Sequence, residues 1–225
     1  GVGAEVIADN DIAVDAENDV SFTAAQARVT NSSFEIGVSQ EVYAGGGTAE
    51  GATGTPDGEV GTRTNFGLDV SSGFSTSTSS SGLRAGGNVS VNSGGDASFI
   101  GTDLEAGQDI TLDAGGDVTI AAIAEESSQT SVGISGSIGA EVGGTGLIPT
   151  GNIQAGGSTT DATRFRESSS SAGGNFTIRS GGDAELVGVD LTVGGDASIE
   201  AEDVRIASAQ DVVETRGGSV GLAVV

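Results

Sequence analysis

Aspartate is the residue type in this chain whose spacing could support chemistry. Asp96 and Asp117 are 21 residues apart, and Asp109 and Asp196 occupy neighbouring copies of one pattern. Two such carboxylates held close together could cleave a glycosidic bond, one as acid and one as base or nucleophile. A short carboxylate before a strand more often caps turn N–H groups. Each of these Asp residues directly precedes a segment that alternates apolar and polar residues, as a strand does, so capping is our preferred interpretation.

Residue types that the chain lacks exclude most other catalytic mechanisms. The 225 residues include no His and no Cys, and all eight basic residues are Arg. The usual general base near neutral pH, a thiol nucleophile and a Schiff-base amine are therefore missing. A serine triad that contains His is excluded as well. We expect no enzyme, and we assign no catalytic or cofactor-binding residue.

Calcium is the remaining ligand to consider, because Asp-rich Gly-Gly repeats are similar to the nonapeptide GGxGxDxUx of calcium-binding solenoids. Here an apolar residue follows each Asp at once, and no second Gly-Asp step comes nine residues later. The sequence therefore predicts no dedicated metal site and no cofactor.

An internal repeat organises the chain. The stretch that begins at Gly86 matches the stretch that begins at Gly173 without a gap, at an offset of 87 residues. The segment from Val6 matches the segment from Leu104 at an offset of 98. Within each copy, the Asn or Asp residues recur every 21 residues, which indicates a solenoid with about 21 residues per coil.

Ten short segments obey one rule, in which an Asn or Asp is followed by apolar residues at the first and third positions. This alternation predicts strands with one buried face. Gly or a polar residue precedes each segment, and we expect it to supply a positive φ or a side-chain cap at a sharp corner. The ten leading residues are Asp11, Asp19, Asn88, Asp96, Asp109, Asp117, Asn175, Asp183, Asp196 and Asp203.

Three strands in 21 residues predict the fold class, which is all-β: a right-handed, three-sided parallel β-helix of about five coils. Weaker third-side strands begin at Asp103 and Asp190. Stacking of the coils should place Val89 over Ile110 and Phe99 near Ile120. We predict coils at about 6–26, 86–124 and 173–216 within one unit that spans residues 1–225.

Two long insertions separate the coil segments, at about 27–84 and 125–172, and a truncated third occupies 217–225. Their arms alternate apolar and polar residues, as in Val132 to Val142, which predicts projecting antiparallel β-hairpins. Pro56 and Pro149 should mark the hairpin tips, because a missing N–H harms no ladder there. Whether the hairpins pair with the coils, with each other or with a partner stays open at this stage.

Composition limits the partners and the compartment. The formal charge of −24 should repel nucleic acid and anionic lipid headgroups, so we expect no nucleic-acid partner. Because the chain lacks the usual catalytic bases and nucleophiles, we also expect no small-molecule substrate. The chain shows no signal peptide and no initiator Met, so we expect it to belong to a longer protein. The lack of Cys suits an exported bacterial protein.

Four blocks of the chain carry a family resemblance. Each begins with an Ala-Gly or Ser-Gly pair, and the four blocks are residues 85–91, 93–99, 106–112 and 114–120. With the Ser-rich insertions between them, these blocks resemble the haemagglutinin repeats of filamentous haemagglutinin. The resemblance covers nearly the whole chain. It implies a secreted, cell-surface exoprotein that is exported by an outer-membrane transporter of two-partner secretion. Proteins of this family include adhesins and the effectors of contact-dependent growth inhibition.

Two functions follow as hypotheses. The first is a structural and adhesive stalk, in which the coils give length and the hairpins contact other surfaces. The alternative is a module of a growth-inhibition effector that engages the outer membrane of a target cell and aids toxin translocation. Val132 to Val142 has about the length of a membrane-spanning strand, although Gly136 interrupts its apolar row. The oligomeric state and the receptor are not predicted.

Overall fold

The computed structural model describes residues 2–46, 58–143 and 146–224, and within these ranges the chain is all-β. It divides into two units, which comprise 1–29, 75–127 and 162–212 in the first and 30–74, 128–161 and 213–225 in the second. The strands are, in chain order, β1 Glu5–Ala8, β2 Ile12–Ala16, β3 Val20–Thr23, β4 Ala25–Gly46, β5 Gly58–Ser79, β6 Ser81–Ala85, β7 Val89–Ser93, β8 Ala97–Ile100, β9 Thr102–Ala106, β10 Ile110–Ala114, β11 Val118–Ala121, β12 Ile123–Gly143, β13 Gly146–Arg166, β14 Ser168–Ala172, β15 Phe176–Ser180, β16 Ala184–Val187, β17 Val189–Val193, β18 Ala197–Glu200, β19 Val204–Ala207 and β20 Val212–Val224.

The first unit is a three-sided parallel β-helix. Its three sheets have the strand orders β1-β6-β9-β14-β17, β2-β7-β10-β15-β18 and β3-β8-β11-β16-β19. Every coil contributes one strand to each sheet, so the described residues form five coils. The predicted fold class is confirmed: the chain is all-β, with a three-sided parallel β-helix in the first unit and an antiparallel sheet in the second.

The core of the β-helix is built from columns of small and medium side chains. Val89 pairs with Ile110, and Phe99 pairs with Ile120, as the 21-residue period predicted. The rings of Phe22 and Phe99 stack with their centroids 5.9 Å apart and nearly parallel. Narrow coils can be filled by such residues because each inward side chain contacts the equivalent residue of the next coil.

The first strands of two coils lie inside ranges that the sequence assigned to insertions. β6 falls within 27–84 except for its last residue, Ala85, and β14 falls within 125–172. Their inward residues include buried Ser81 and Ser168, whose hydroxyls donate to the carbonyls of Thr23 and Ala121 at 2.7 Å. Serine counts as polar, so a hydropathy pattern shows only Leu83 and Ala85 of the inward face of β6 and only Ala172 of that of β14.

The glycines at the corners act differently from the prediction. Gly86 and Gly173 start two Gly-Gly corners and do not have a positive φ. A positive φ occurs instead at Gly101 and Gly188, which lie between the third strand of one coil and the first strand of the next. A Cβ added at Gly86 would lie 2.2 Å from the carbonyl oxygen of Asp9 in the neighbouring coil. These corners therefore need glycine because two backbones approach closely, not because the chain turns left-handed.

The second unit is a single antiparallel sheet with the strand order β4-β5-β12-β13-β20. The neighbours are consecutive in the chain when the coil strands are skipped, so the hairpins pair with each other. Ser33 lies opposite Ser71 on the adjoining strand, and Ser39 lies opposite Asn65, as an antiparallel pair requires. Pro56 lies outside the described residues. Pro149 lies inside β13, so the prediction that it marks the tip itself is wrong.

Two serines on β14 provide a matched test of the core. Ser168 donates to Ala121 and accepts from the N–H of Thr102, whereas the buried Ser170 hydroxyl has no hydrogen-bond partner and lies between Leu104 and Leu191. We expect Ser170→Ala to raise the free energy of unfolding by about 1 kcal/mol, because it removes an unsatisfied buried polar group. Ser168→Ala should lower it by about 1–3 kcal/mol. Denaturant unfolding of both variants checks this, and shifts of the same sign would contradict the assignment.

Candidate interaction surface

Two of the four candidate carboxylates, Asp109 and Asp196, belong to a hydrogen-bonded column at the first corner of the coils. The Oδ1 atom of Asp11 accepts from the N–H of Asn88 at 2.7 Å, and the Oδ1 atom of Asp109 accepts from the N–H of Asn175 at 2.6 Å. Asn175 in turn accepts from the N–H of Asp196 at 2.9 Å. Asp109 and Asp196 are thus separated by an intervening coil. Each carboxylate caps the next coil rather than its own turn.

The second corner carries a column made of aspartates alone. The N–H groups of Asp96, Asp117 and Asp183 each donate to the Oδ1 atom of the Asp one coil earlier, at 3.0, 2.9 and 2.8 Å. Within the described ranges, no group of three or more acidic residues is arranged to hold a metal ion. These carboxylates hold coils in register, because each one satisfies a corner N–H that has no strand partner.

Arginines on the outer faces of the coils pair with acids of adjacent coils. Arg179 lies 3.7 Å from Glu200, and Arg205 pairs with Glu185. Arg84 on β6 is a third such arginine. It lies 3.7 Å from both Glu5 and Glu105. Exposed pairs of this kind are worth less than about 1 kcal/mol each.

The sheet of the second unit has one apolar face. Alternate residues of β4 expose Phe34, Ile36 and Val38, with 66%, 64% and 71% of their surface accessible. Side chains alternate between the two faces of a strand, so the partners of these residues on β5 point the same way. The other large members of this face are Val42, Val60, Phe66, Leu68, Val70, Val132, Ile134, Ile138, Val142, Leu147, Ile153, Val220 and Leu222. We call this set the apolar face.

Gly136 does not break the apolar face, contrary to the concern raised by the sequence. A Cβ at Gly136 would lie 2.5 Å from the Cζ atom of Phe66. The ring of Phe66 therefore covers the glycine across the strand pair, an arrangement that restores apolar surface where a side chain is missing. The sequence could not reveal this contact, because it depends on the register between β5 and β12.

The apolar face carries no charge over its central stretch. From Phe34 to Val42 on β4, and over the matching stretches of the other four strands, its described positions are aliphatic, aromatic, Gly, Pro, Thr or Gln. The whole chain has a net charge of −24, so an uncharged area of this size is a local exception. Large contiguous apolar areas on a protein surface usually mark interaction sites.

The opposite face of the sheet is polar. The Ser33 and Ser71 hydroxyls lie 2.8 Å apart, and those of Ser131 and Ser158 lie 2.9 Å apart. A shallow groove on this face contains Asp69 and Gln154, and Asp69 is the titratable group among its described lining residues. One carboxylate without an acid or base partner does not form the pair that glycoside hydrolysis needs.

None of the described residues forms a helix with the length and apolar character needed to cross a membrane.

Corner caps and core residues should differ in their contribution to stability. Asp117→Ala removes one cap, so we expect a loss of about 1 kcal/mol. Phe99→Ala leaves a cavity beside Phe22, so we expect a loss of about 3 kcal/mol or more. Denaturant unfolding with and without calcium measures both. If Asp117→Ala were the more damaging change and excess calcium restored wild-type stability, the corner would be a metal site.

Comparison with known proteins agrees with this architecture. The family model described as Hemagglutinin repeat matches residues 1–67 and 67–222. Neither the curated proteins nor the solved structures that were compared gave a significant match. The family match covers both the stacked coils and the hairpin strands that form the apolar face. The chain therefore belongs to the haemagglutinin repeat family.

Proposed function

We propose that this chain is a structural and adhesive segment of a secreted exoprotein, in which the β-helix gives rigidity and the apolar face makes contact with other surfaces. The observation that carries the proposal is the uncharged, exposed apolar face on a chain whose net charge is −24. Water-exposed apolar area of this extent costs free energy, and contact with another apolar surface removes that cost.

Family membership supplies the setting. The haemagglutinin repeat family is a structural and adhesin family rather than an enzymatic one, and it implies a secreted, cell-surface exoprotein. For export of the parent protein, we propose an outer-membrane transporter of two-partner secretion. The sequence resemblance to filamentous haemagglutinin supports that partner.

The β-helix suits a rigid segment. Each of its sheets has five parallel strands, and corner N–H groups are bonded from coil to coil as well. Five coils spaced about 4.8 Å apart extend over roughly 20–25 Å. Each coil contacts only its neighbours, so stiffness comes from continuous hydrogen bonding along the stack.

A second candidate function is engagement of a target cell's outer membrane by a contact-dependent growth inhibition effector, which would aid delivery of a toxin. The uncharged stretch supports it, since the nine extended residues from Phe34 to Val42 span about 30 Å, close to the thickness of a bilayer's hydrocarbon core. Phe66 also removes the interruption at Gly136. The described face has no Trp or Tyr at its ends, which a membrane interface usually favours.

Binding to cells tests the proposal with a matched pair of variants. Ile134 belongs to the apolar face, and its neighbour Ser135 points to the polar face. Ile134→Glu places a charge in the contact, so we expect it to reduce attachment of the fluorescently labelled chain to bacterial cells by roughly tenfold or more. Ser135→Glu adds the same charge on the other face and should change attachment less than about twofold.

The same measurement separates the two candidates. Attachment to cells but not to protein-free phosphatidylcholine vesicles supports adhesion, whereas equal binding to such vesicles supports engagement of the membrane. Attachment that is insensitive to Ile134→Glu would remove the apolar face from either function. Circular dichroism of both variants establishes that their fold is retained.

A further inference from the structure

We propose that the apolar face is a self-association surface, on which two copies of this chain pack face to face. The inference deepens the proposed function by naming a partner for the same surface, and it rests on that function for its biological role. It follows from the size, the uncharged character and the position of this face within one sheet.

The size of the face matches what a stable dimer needs. Five strands about 4.8 Å apart, with an uncharged stretch of about nine residues at about 3.3 Å per residue, give roughly 24 by 30 Å, or on the order of 700 Å². A protein interface of standard size buries about 800 Å² on each partner. One face against another therefore falls within the standard range of about 600–1,000 Å² per partner without help from the rest of the chain.

The chemistry of the face favours an identical partner. Its central residues, such as Ile36, Leu68 and Ile134, offer no donor or acceptor on their side chains. A polar partner would leave its own groups unpaired against them, at a cost of about 1–3 kcal/mol per group. A second copy has the same apolar rows and the same strand twist, and faces of this kind pack about 10 Å apart in sandwiches.

Electrostatics opposes the association and gives it a diagnostic salt dependence. Each copy carries a net charge of −24, and the polar side of the sheet includes Glu35, Glu41, Asp69 and Glu141 along with Arg63. Repulsion between copies is screened over about 10 Å at 0.1 M salt and about 3 Å at 1 M. Added salt also strengthens apolar burial when it is a sulfate. The dimer should therefore tighten as salt rises, opposite to an association held by ion pairs.

Sedimentation equilibrium of the full chain tests the inference. We expect a dimer with a dissociation constant in the micromolar range, because interfaces of this size range from micromolar to tighter. Raising NaCl from 0.05 to about 0.5 M should lower the dissociation constant several-fold. Ile134→Glu should weaken the dimer at least about tenfold, and Ser135→Glu should change it less than about threefold. A chain that stays monomeric at about 100 µM in 0.5 M NaCl, or equal effects of the two variants, would overturn the inference.

A second measurement does not depend on charge at the face. The chain has no Cys, so Ile134→Cys and Ser135→Cys each introduce a single thiol. β12, which carries both positions, is the central strand of the five. A short bismaleimide should link Ile134→Cys into a covalent dimer and leave Ser135→Cys as monomer. Linkage through Ser135→Cys instead would assign self-association to the polar face and contradict the inference.

The two proposals can fail separately. If Ile134→Glu abolishes attachment to cells while the wild-type chain is monomeric, the adhesive function stands and self-association falls. If the wild-type chain dimerises through the apolar face while attachment ignores Ile134→Glu, self-association stands and the adhesive role of this face falls.

Discussion

Close stacking of one coil on the next is the constraint on which the β-helix depends. Parallel strands of neighbouring coils must approach within about 4.8 Å for their hydrogen bonds to form, and the corners must follow at the same spacing. A Cβ at Gly107 would lie 2.1 Å from the carbonyl oxygen of Gly86, so only glycine fits there. Asp and Asn side chains such as Asp96 then satisfy the N–H groups that the corners leave unpaired. Glycine and aspartate recur in this chain for one geometric reason.

This stacking also explains which residues the core tolerates. An inward side chain meets the equivalent residue of the next coil, so Phe22 meets Phe99 and Ile110 meets Phe176. The volume of the inward side chain can vary from coil to coil, provided that the neighbouring side chains compensate for the difference. Polar residues are accepted where their hydroxyls reach a carbonyl, as Thr102 reaches Phe22 at 3.0 Å. Ser170 has no such partner and is the exception among the buried hydroxyls of the first strands.

The second unit shows how a repeated connection builds a functional surface. Strands β4, β12 and β20 each follow the third strand of a coil, and β5 and β13 each precede the first strand of a coil. Equivalent arms with the same apolar-polar alternation then become neighbours in one sheet. A single hairpin would be marginal in water, but five strands share one face of useful size. Adhesion and self-association both draw on that shared face.

The sequence by itself determined the fold class, the 21-residue coil and the pairing of Val89 with Ile110, because a strict repeat forces equivalent residues into register. It also determined that the hairpin arms have one apolar side, since alternation has only one meaning in a strand. The strands β6 and β14 could not be located, because their inward serines carry no hydropathy signal and leave only Leu83 and Ala85 in β6 and Ala172 in β14 as apolar inward residues. Three other features depended on contacts between residues far apart in the chain. They are the partner that each corner Asp caps, the contact of Phe66 with Gly136 and the pairing of the hairpins with each other. Only the tertiary structure decides such contacts, because they are set by the register between strands that local sequence does not encode.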